Sequence, residues 1–210
     1  MEYTRSRYVV NQNTNFRLLS EDQREEIYTS SLELLERRGV RIKNTKIREI
    51  LAKSGCWLEN DTVKIPIGIG DRAVRSAPSR VLVYDRDGEQ RLILGGHRSY
   101  FGPGSANGYF GDPETEKRRK MLLSDVATVA QISDALPNID FVQSIGIPDD
   151  ADTKHANRQT FAALVKNTIK PLVQKCSTDD ECEAVINMAA LVKGGVENLQ
   201  KQPFIVLDAD

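Results

Sequence analysis

Lys170-Pro171-Leu172-Val173-Gln174-Lys175 is followed by Thr178-Asp179-Asp180-Glu181 and a helix-length run to Lys193, then by Gly194-Gly195 and Pro203-Phe204-Ile205-Val206-Leu207. An apolar run of strand length, a helix opened by a hydroxyl with acids in its first turn, a glycine stop and a second strand make one strand–helix–strand unit. The rhythm extends towards the N-terminus. Strands are expected at Ser99–Phe101, Ile139–Ile145, Lys170–Lys175 and Pro203–Leu207. Helices are expected between them at Ser124–Leu136, Lys154–Asn167 and Thr178–Lys193, with Ser124 and Thr178 as N-caps. Repeated units with single crossovers specify a parallel α/β fold. An open doubly wound sheet and a (β/α)8 barrel both satisfy the pattern; no G-x-G-x-x-G stands between a strand and a helix, which weakens the first. Four strands are half a barrel, and a whole one takes about 250 residues. The expected fold is therefore the N-terminal half of a (β/α)8 TIM-type barrel over 97–210, part of a longer protein. A complete four-stranded α/β domain is the alternative.

Upstream the pattern changes. Residues 1–18 are polar and read as a flexible N-terminal arm, and 19–96 as a small α+β cap of helices and hairpins. Ser20-Glu21-Asp22-Gln23 has the capping-box form and Gly39 stops the helix that follows. A second helix is expected over Asn44–Ser54, a hairpin from Trp57 to Ile65 around Asn60-Asp61, and a short helix over Pro66–Ser76. Asp85-Arg86-Asp87-Gly88 between Val81–Tyr84 and Arg91–Leu94 is a hairpin signal.

The 210 residues carry 29 Lys and Arg against 30 Asp and Glu, a formal net charge of -1, which gives no electrostatic reason to expect nucleic acid or an anionic membrane as partner. No apolar stretch has the length of a membrane span, and the N-terminus lacks the apolar segment of a signal peptide. Three cysteines, Cys56, Cys176 and Cys182, fit a reducing cytoplasm better than a disulfide scaffold. With only His97 and His155 as histidines, a four-ligand Cys/His zinc site is not expected.

In parallel α/β folds, ligands bind beyond the carboxyl ends of the strands. Four segments fall there: the glycine-rich Gly102–Gly108, Gln143-Ser144-Ile145-Gly146, Gln174-Lys175-Cys176-Ser177, and Asp208-Ala209-Asp210. The first can bring backbone close to a ligand but lacks the Gly-Lys-Ser/Thr of a P-loop. An unrelated enzyme binding an anionic ligand at this loop is one possible reading. Cys176 reads as a small apolar filler, with His155 as the remaining partner for a nucleophilic pair. Lys117-Arg118-Arg119-Lys120, beside Asp112, Glu114 and Glu116, reads as a solvated turn.

The sequence resembles the trimethylamine methyltransferase family of corrinoid-dependent methyltransferases. The resembling stretches are Leu19–Gln23 through Leu32–Val40, Leu51–Cys56, Val63–Pro66, Ala77-Pro78, Tyr84–Asp87, Asp112–Asp125, Ala135–Phe141 and Asn167–Pro171. The resemblance implies a (β/α)8 barrel behind an N-terminal cap. It implies transfer of a methyl group from a methylated amine, trimethylamine or a betaine-type quaternary amine, to the cobalt of a separate corrinoid protein. That partner's cobalamin would accept the methyl group, with no cofactor or metal bound by this chain and a homo-oligomer as the complete enzyme. Pyrrolysine, where present, would stand in the missing C-terminal half. A quaternary ammonium needs a site of aromatic faces and carboxylates. Tyr109, Phe110, Ser105, Gln143 and Asp208 are the residues expected to bind substrate, and Tyr100, Phe101 and Phe141 further aromatics within reach; no catalytic residue is assigned. On this reading the 210 residues are an incomplete fragment without activity of their own. The alternative is a non-catalytic half-barrel binding or assembly domain that dimerises to cover its strand edges.

Overall fold

The computed structural model describes residues 16–104, 108–113, 115–152 and 154–209. They form two compact units that divide between Ser79 and Arg80.

In the first unit, α1 (Glu21–Arg37) opens with the expected capping box: Gln23 N–H donates to Ser20 Oγ at 3.2 Å, and Ser20 N–H to Gln23 Oε1 at 3.0 Å. Gly39 follows at φ +74, and a Cβ there would lie 2.5 Å from the Val63 carbonyl oxygen, so helix and sheet approach too closely for another residue. The sheet holds β1 (Val40–Arg41), β2 (Trp57–Glu59) and β3 (Thr62–Lys64) in the order β1-β3-β2, all antiparallel. Its turn is the expected one, with Asn60 in the left-handed region at φ 55. Helices α2 (Thr45–Lys53), capped by Asn44, and α3 (Ile67–Ser76) complete the unit, and Leu32 and Val63 are buried in it. The pair formed by β1 has no counterpart in the sequence reading.

In the second unit, β4 (Val81–Tyr84) and β5 (Gln90–Leu94) form the Asp-Gly hairpin. A two-residue ladder, β6 (Phe110–Gly111) with β7 (Arg118–Arg119), leads into α4 (Leu123–Ala135). Then come β8 (Val142–Gln143), α5 (Ala156–Asn167), β9 (Leu172–Cys176), α6 (Asp179–Lys193), α7 (Val196–Lys201) and β10 (Ile205–Ala209). Strands β8, β9 and β10 are parallel neighbours in chain order. This is a mixed α/β fold with a parallel βαβαβ run at its centre.

The structure corrects four details. Ser99–Phe101 is not a strand: it is docked by Asp140, whose N–H reaches the Phe101 carbonyl at 2.7 Å and whose carboxylate takes the Phe101 N–H at 2.9 Å, and no ladder continues from this contact. The parallel sheet therefore has three strands among the described residues. Ser124 lies inside α4 rather than capping it; Leu122 is the cap residue, and the Asp125 carboxylate accepts its N–H at 2.8 Å. The strand expected over Ile139–Ile145 is only Val142–Gln143. Gly194, left-handed at φ +74, does stop α6, but a further helix, α7, intervenes before β10.

Side chains on β9 alternate as a pleated strand requires. Leu172, Gln174 and Cys176 are buried against the helices, with Phe161 and Leu164 of α5 and Val185 and Ala189 of α6 among the fully buried neighbours. Burying each of the larger apolar side chains, Leu172, Phe161, Leu164 and Val185, is worth about 1.5–3 kcal/mol. The register pairs Gln143 with Val173, Val206 with Val173, and Asp208 with Lys175, so these five residues share the opposite face. Hairpin β4–β5 closes the other end of the sheet. Tyr84 N–H donates to Pro203 O at 2.8 Å and Arg86 N–H to Ile169 O at 2.9 Å, just before β10 and β9 begin.

Candidate active site at the carboxyl ends of the strands

The loops after β8 and β9 and the end of β10 enclose a cavity of about 250 Å³. Gln143, Lys175 and Asp208 enter it from the sheet, Asn157 and Thr160 from α5, and Ser177 from the β9–α6 loop. A wider cavity of about 600 Å³ lies alongside and shares Ile147, Asn157 and Ser177 with it. Of the substrate-binding residues expected from sequence, Gln143 and Asp208 meet here. They lie on the same sheet face because the parallel register places them there. Gln143 Nε2 donates to the Pro103 carbonyl at 2.6 Å, so this side chain holds the glycine-rich segment against the sheet.

The glycine-rich segment has its own steric reason. A Cβ on Gly102 would lie 2.5 Å from Cε2 of Phe141. Ser105 lies outside the described residues. Tyr109 and Phe110 sit at the β6–β7 ladder, where the chain's own cations face them: the Arg118 guanidinium lies 3.9 Å from the Tyr109 ring centroid, Lys120 Nζ 5.4 Å from it, and Arg119 5.0 Å from that of Phe110. Among the further aromatics, Tyr100 is bound to β5 through Ile93 N–H at 2.8 Å, Phe101 is exposed, and Phe141 packs on Gly102. Arg119 is no solvated turn residue. It holds Asp125 with both guanidinium ends at 2.6 and 2.9 Å and Asp112 through Nε at 2.7 Å.

Sequence reasoning missed the contribution of α5 and α6. Glu181 accepts from Asn157 Nδ2 and from Ser177 N–H, each at 2.9 Å, and these bonds, the backbone one first, hold its carboxyl below the usual range. The site therefore presents fixed negative charge at Glu181 near the wider cavity. The spacing of Asn157 and Thr160 on one helix face was the available signal, but it acquires meaning only once β9 is placed beside it. His155 lies 3.1 Å from Asp152, not beside Cys176. The thiol facing Cys176 is that of Cys182, and burial first, then that contact, pushes the Cys176 thiol up to about 12. Among the described residues no group of three or more His, Cys, Asp or Glu side chains is placed to hold a metal ion, and no helix is long and apolar enough to cross a membrane.

The model of the trimethylamine methyltransferase family matches residues 1–208. The chain belongs to that family. Trimethylamine methyltransferase MttB of Desulfitobacterium hafniense (strain DSM 10664 / DCB-2) is 30% identical over 186 residues, 88% of this chain and 38% of the relative. The glycine betaine methyltransferase of Desulfitobacterium hafniense (strain Y51) is 22% identical over 192 residues, 91% of this chain and 40% of the relative. Trimethylamine methyltransferase MttB2 of Methanosarcina mazei is 29% identical over 130 residues, 59% of this chain and 26% of the relative. The chain thus spans about two-fifths of the length of the first two curated relatives.

Proposed function

We propose that these 210 residues are part of a methyltransferase that moves a methyl group from a methylated amine to the cobalt of a corrinoid protein. The family match over residues 1–208 carries this reading. The cavity at the carboxyl ends of β8, β9 and β10 supports it, because that is where βα barrels place their chemistry. The parallel run is the first part of a TIM-type barrel behind the unit of helices and antiparallel strands, and the missing length of the relatives supplies the rest. A complete barrel would assemble as a homo-oligomer. Three free thiols agree with a reducing, cytoplasmic setting.

The partner's reduced cobalt would take the methyl carbon while nitrogen keeps the bonding pair and leaves. A quaternary amine leaves neutral and needs no proton. The protein's task is then positioning. Asp208 and Glu181 offer carboxylates to the substrate cation, and Gln143, bonded to the Pro103 carbonyl, lines the cavity beside them. The test is titration of the chain with trimethylammonium and with glycine betaine, followed by NMR. Binding of one of them, weakened about tenfold in D208N as expected for loss of a charged contact, supports the reading. Binding of neither would remove this cavity as a substrate site. A tight dimer in sedimentation with no amine binding would favour the assembly domain instead.

A further inference from the structure

At the opposite end of the sheet, hairpin β4–β5 and helices α6 and α7 enclose a second cavity of about 560 Å³, lined by Tyr84, Arg86, Lys193, Asn198, Lys201 and Gln202 together with Val192. Three of these residues are cations and none is an acid. The nearby buried carboxylate, Asp85, is committed to Arg91 Nε at 2.7 Å and Glu89 N–H at 2.8 Å. Lys193 Nζ is held in place by the carbonyls of Arg86 at 2.9 Å and Asp85 at 3.3 Å. Arg86 has its backbone fixed by Ile169, yet its Nε is buried and bonds to nothing. Among the described residues neither Arg86 nor Lys201 has a carboxylate partner.

Gathering like charges around one cavity is unfavourable, and so is a buried donor left without an acceptor. A compact oxyanion relieves both at once. A phosphate group fits best, because its oxygens accept from several directions and match the fork of an arginine. The cavity falls within the range of about 300–1,000 Å³ usual for small-molecule sites, larger than one phosphate needs. Asn198, Gln202 and the Tyr84 ring line the remaining space. We infer that this cavity binds the phosphate group of a small molecule, at a site separate from methyl transfer and independent of the assignment made above.

The experiment titrates the 210-residue chain with inorganic phosphate and, separately, with ribose 5-phosphate, at ionic strength held constant with chloride. NMR follows the amides of 84–86 and 192–202. Saturable shifts confined to these amides are expected. Tighter binding of the ester identifies an organic phosphate as the ligand, and equal binding identifies phosphate itself. K201Q, at an exposed position, and R86K, which keeps the charge but removes the fork, should each weaken binding about tenfold. K46Q, on the other unit, should leave it unchanged. Identical shifts with chloride alone, or equal binding by K201Q and K46Q, would overturn the inference. Because Lys201 is exposed, its variant keeps the test decisive even if R86K folds poorly.

Discussion

Gly102→Ala tests whether the glycine-rich segment is shaped by the sheet or by a ligand. The added methyl would meet Cε2 of Phe141 at 2.5 Å and two further ring atoms at 2.7 Å. Ordinary contact is about 3.5–4.0 Å, so roughly 1 Å must be recovered. Neither side retreats easily. Phe101 and Asp140, one residue before each partner, are tied together by the Asp140 N–H on the Phe101 carbonyl at 2.7 Å and the Phe101 N–H on the Asp140 carboxylate at 2.9 Å. Gln143 fastens the following residue, Pro103, from the other direction. Overpacking of this kind costs about 1–3 kcal/mol, and about 2 is expected here. In urea unfolding followed by circular dichroism, the second unit's transition should fall by about 1 M, given a slope near 2 kcal/mol/M. Phe141→Leu removes the ring atoms in question. In the double variant G102A/F141L, the penalty of the alanine should shrink to under about 0.5 kcal/mol, a coupling only neighbouring groups show. An unchanged transition in G102A, or the same penalty with and without the ring, would refute the steric argument and return the glycine to a ligand-binding role.

Other expectations follow from the same geometry. Asp85→Ala should destabilise the second unit by about 1–2 kcal/mol, since it removes the buried carboxylate that accepts from Arg91 Nε and from the Glu89 N–H; thermal unfolding measures this. The Arg119 guanidinium, against the opposing effect of burial, holds the Asp125 carboxyl below its ordinary value of 3.8. A lowered folded value means stability that is present above 3.8 and lost as pH falls through the folded value, so the stability gap between the parent and D125N should close under acid in urea titrations from pH 6 downward. With its thiol near 12, Cys176 should alkylate with iodoacetamide at pH 8 about a thousandfold more slowly than a free cysteine, read by mass spectrometry of the peptides.

What was legible in the sequence is what local chemistry decides. Ser20 and Thr178 announce helices because a side-chain oxygen must meet the first N–H groups, and both do so. Ser124 misled because the helix starts one residue before it, where Asp125 accepts the N–H of Leu122 and is itself held by Arg119. The β6–β7 ladder is two residues long on each side and lies in a charged stretch, so no alternation exists to read. In the site, Gln143 and Asp208 were visible as polar groups at strand ends. Lys175 was visible within the strand-end segment Gln174–Ser177, and the register adds that it shares a face with Asp208. The aromatic faces of Tyr109 and Phe110 looked open to a cation in sequence because nothing there says that a short turn folds Arg118 and Arg119 over them.

The closure of the sheet by hairpin β4–β5 also sets an order of events. Its fastenings join residues far apart in the chain: 108 positions separate Asp85 from Lys193, and 114 separate Gly88 from Gln202. On the ribosome the hairpin is made long before its anchors exist, and its Val81 and Leu82 stay open to water in the finished fold. Contacts of such span carry a loop-closure cost that local helix–strand contacts do not, so they form late. The same reasoning makes this end of the sheet an early place to come apart. Hydrogen exchange at Tyr84 and Arg86 should therefore report a local opening well before the amides of β9 are released.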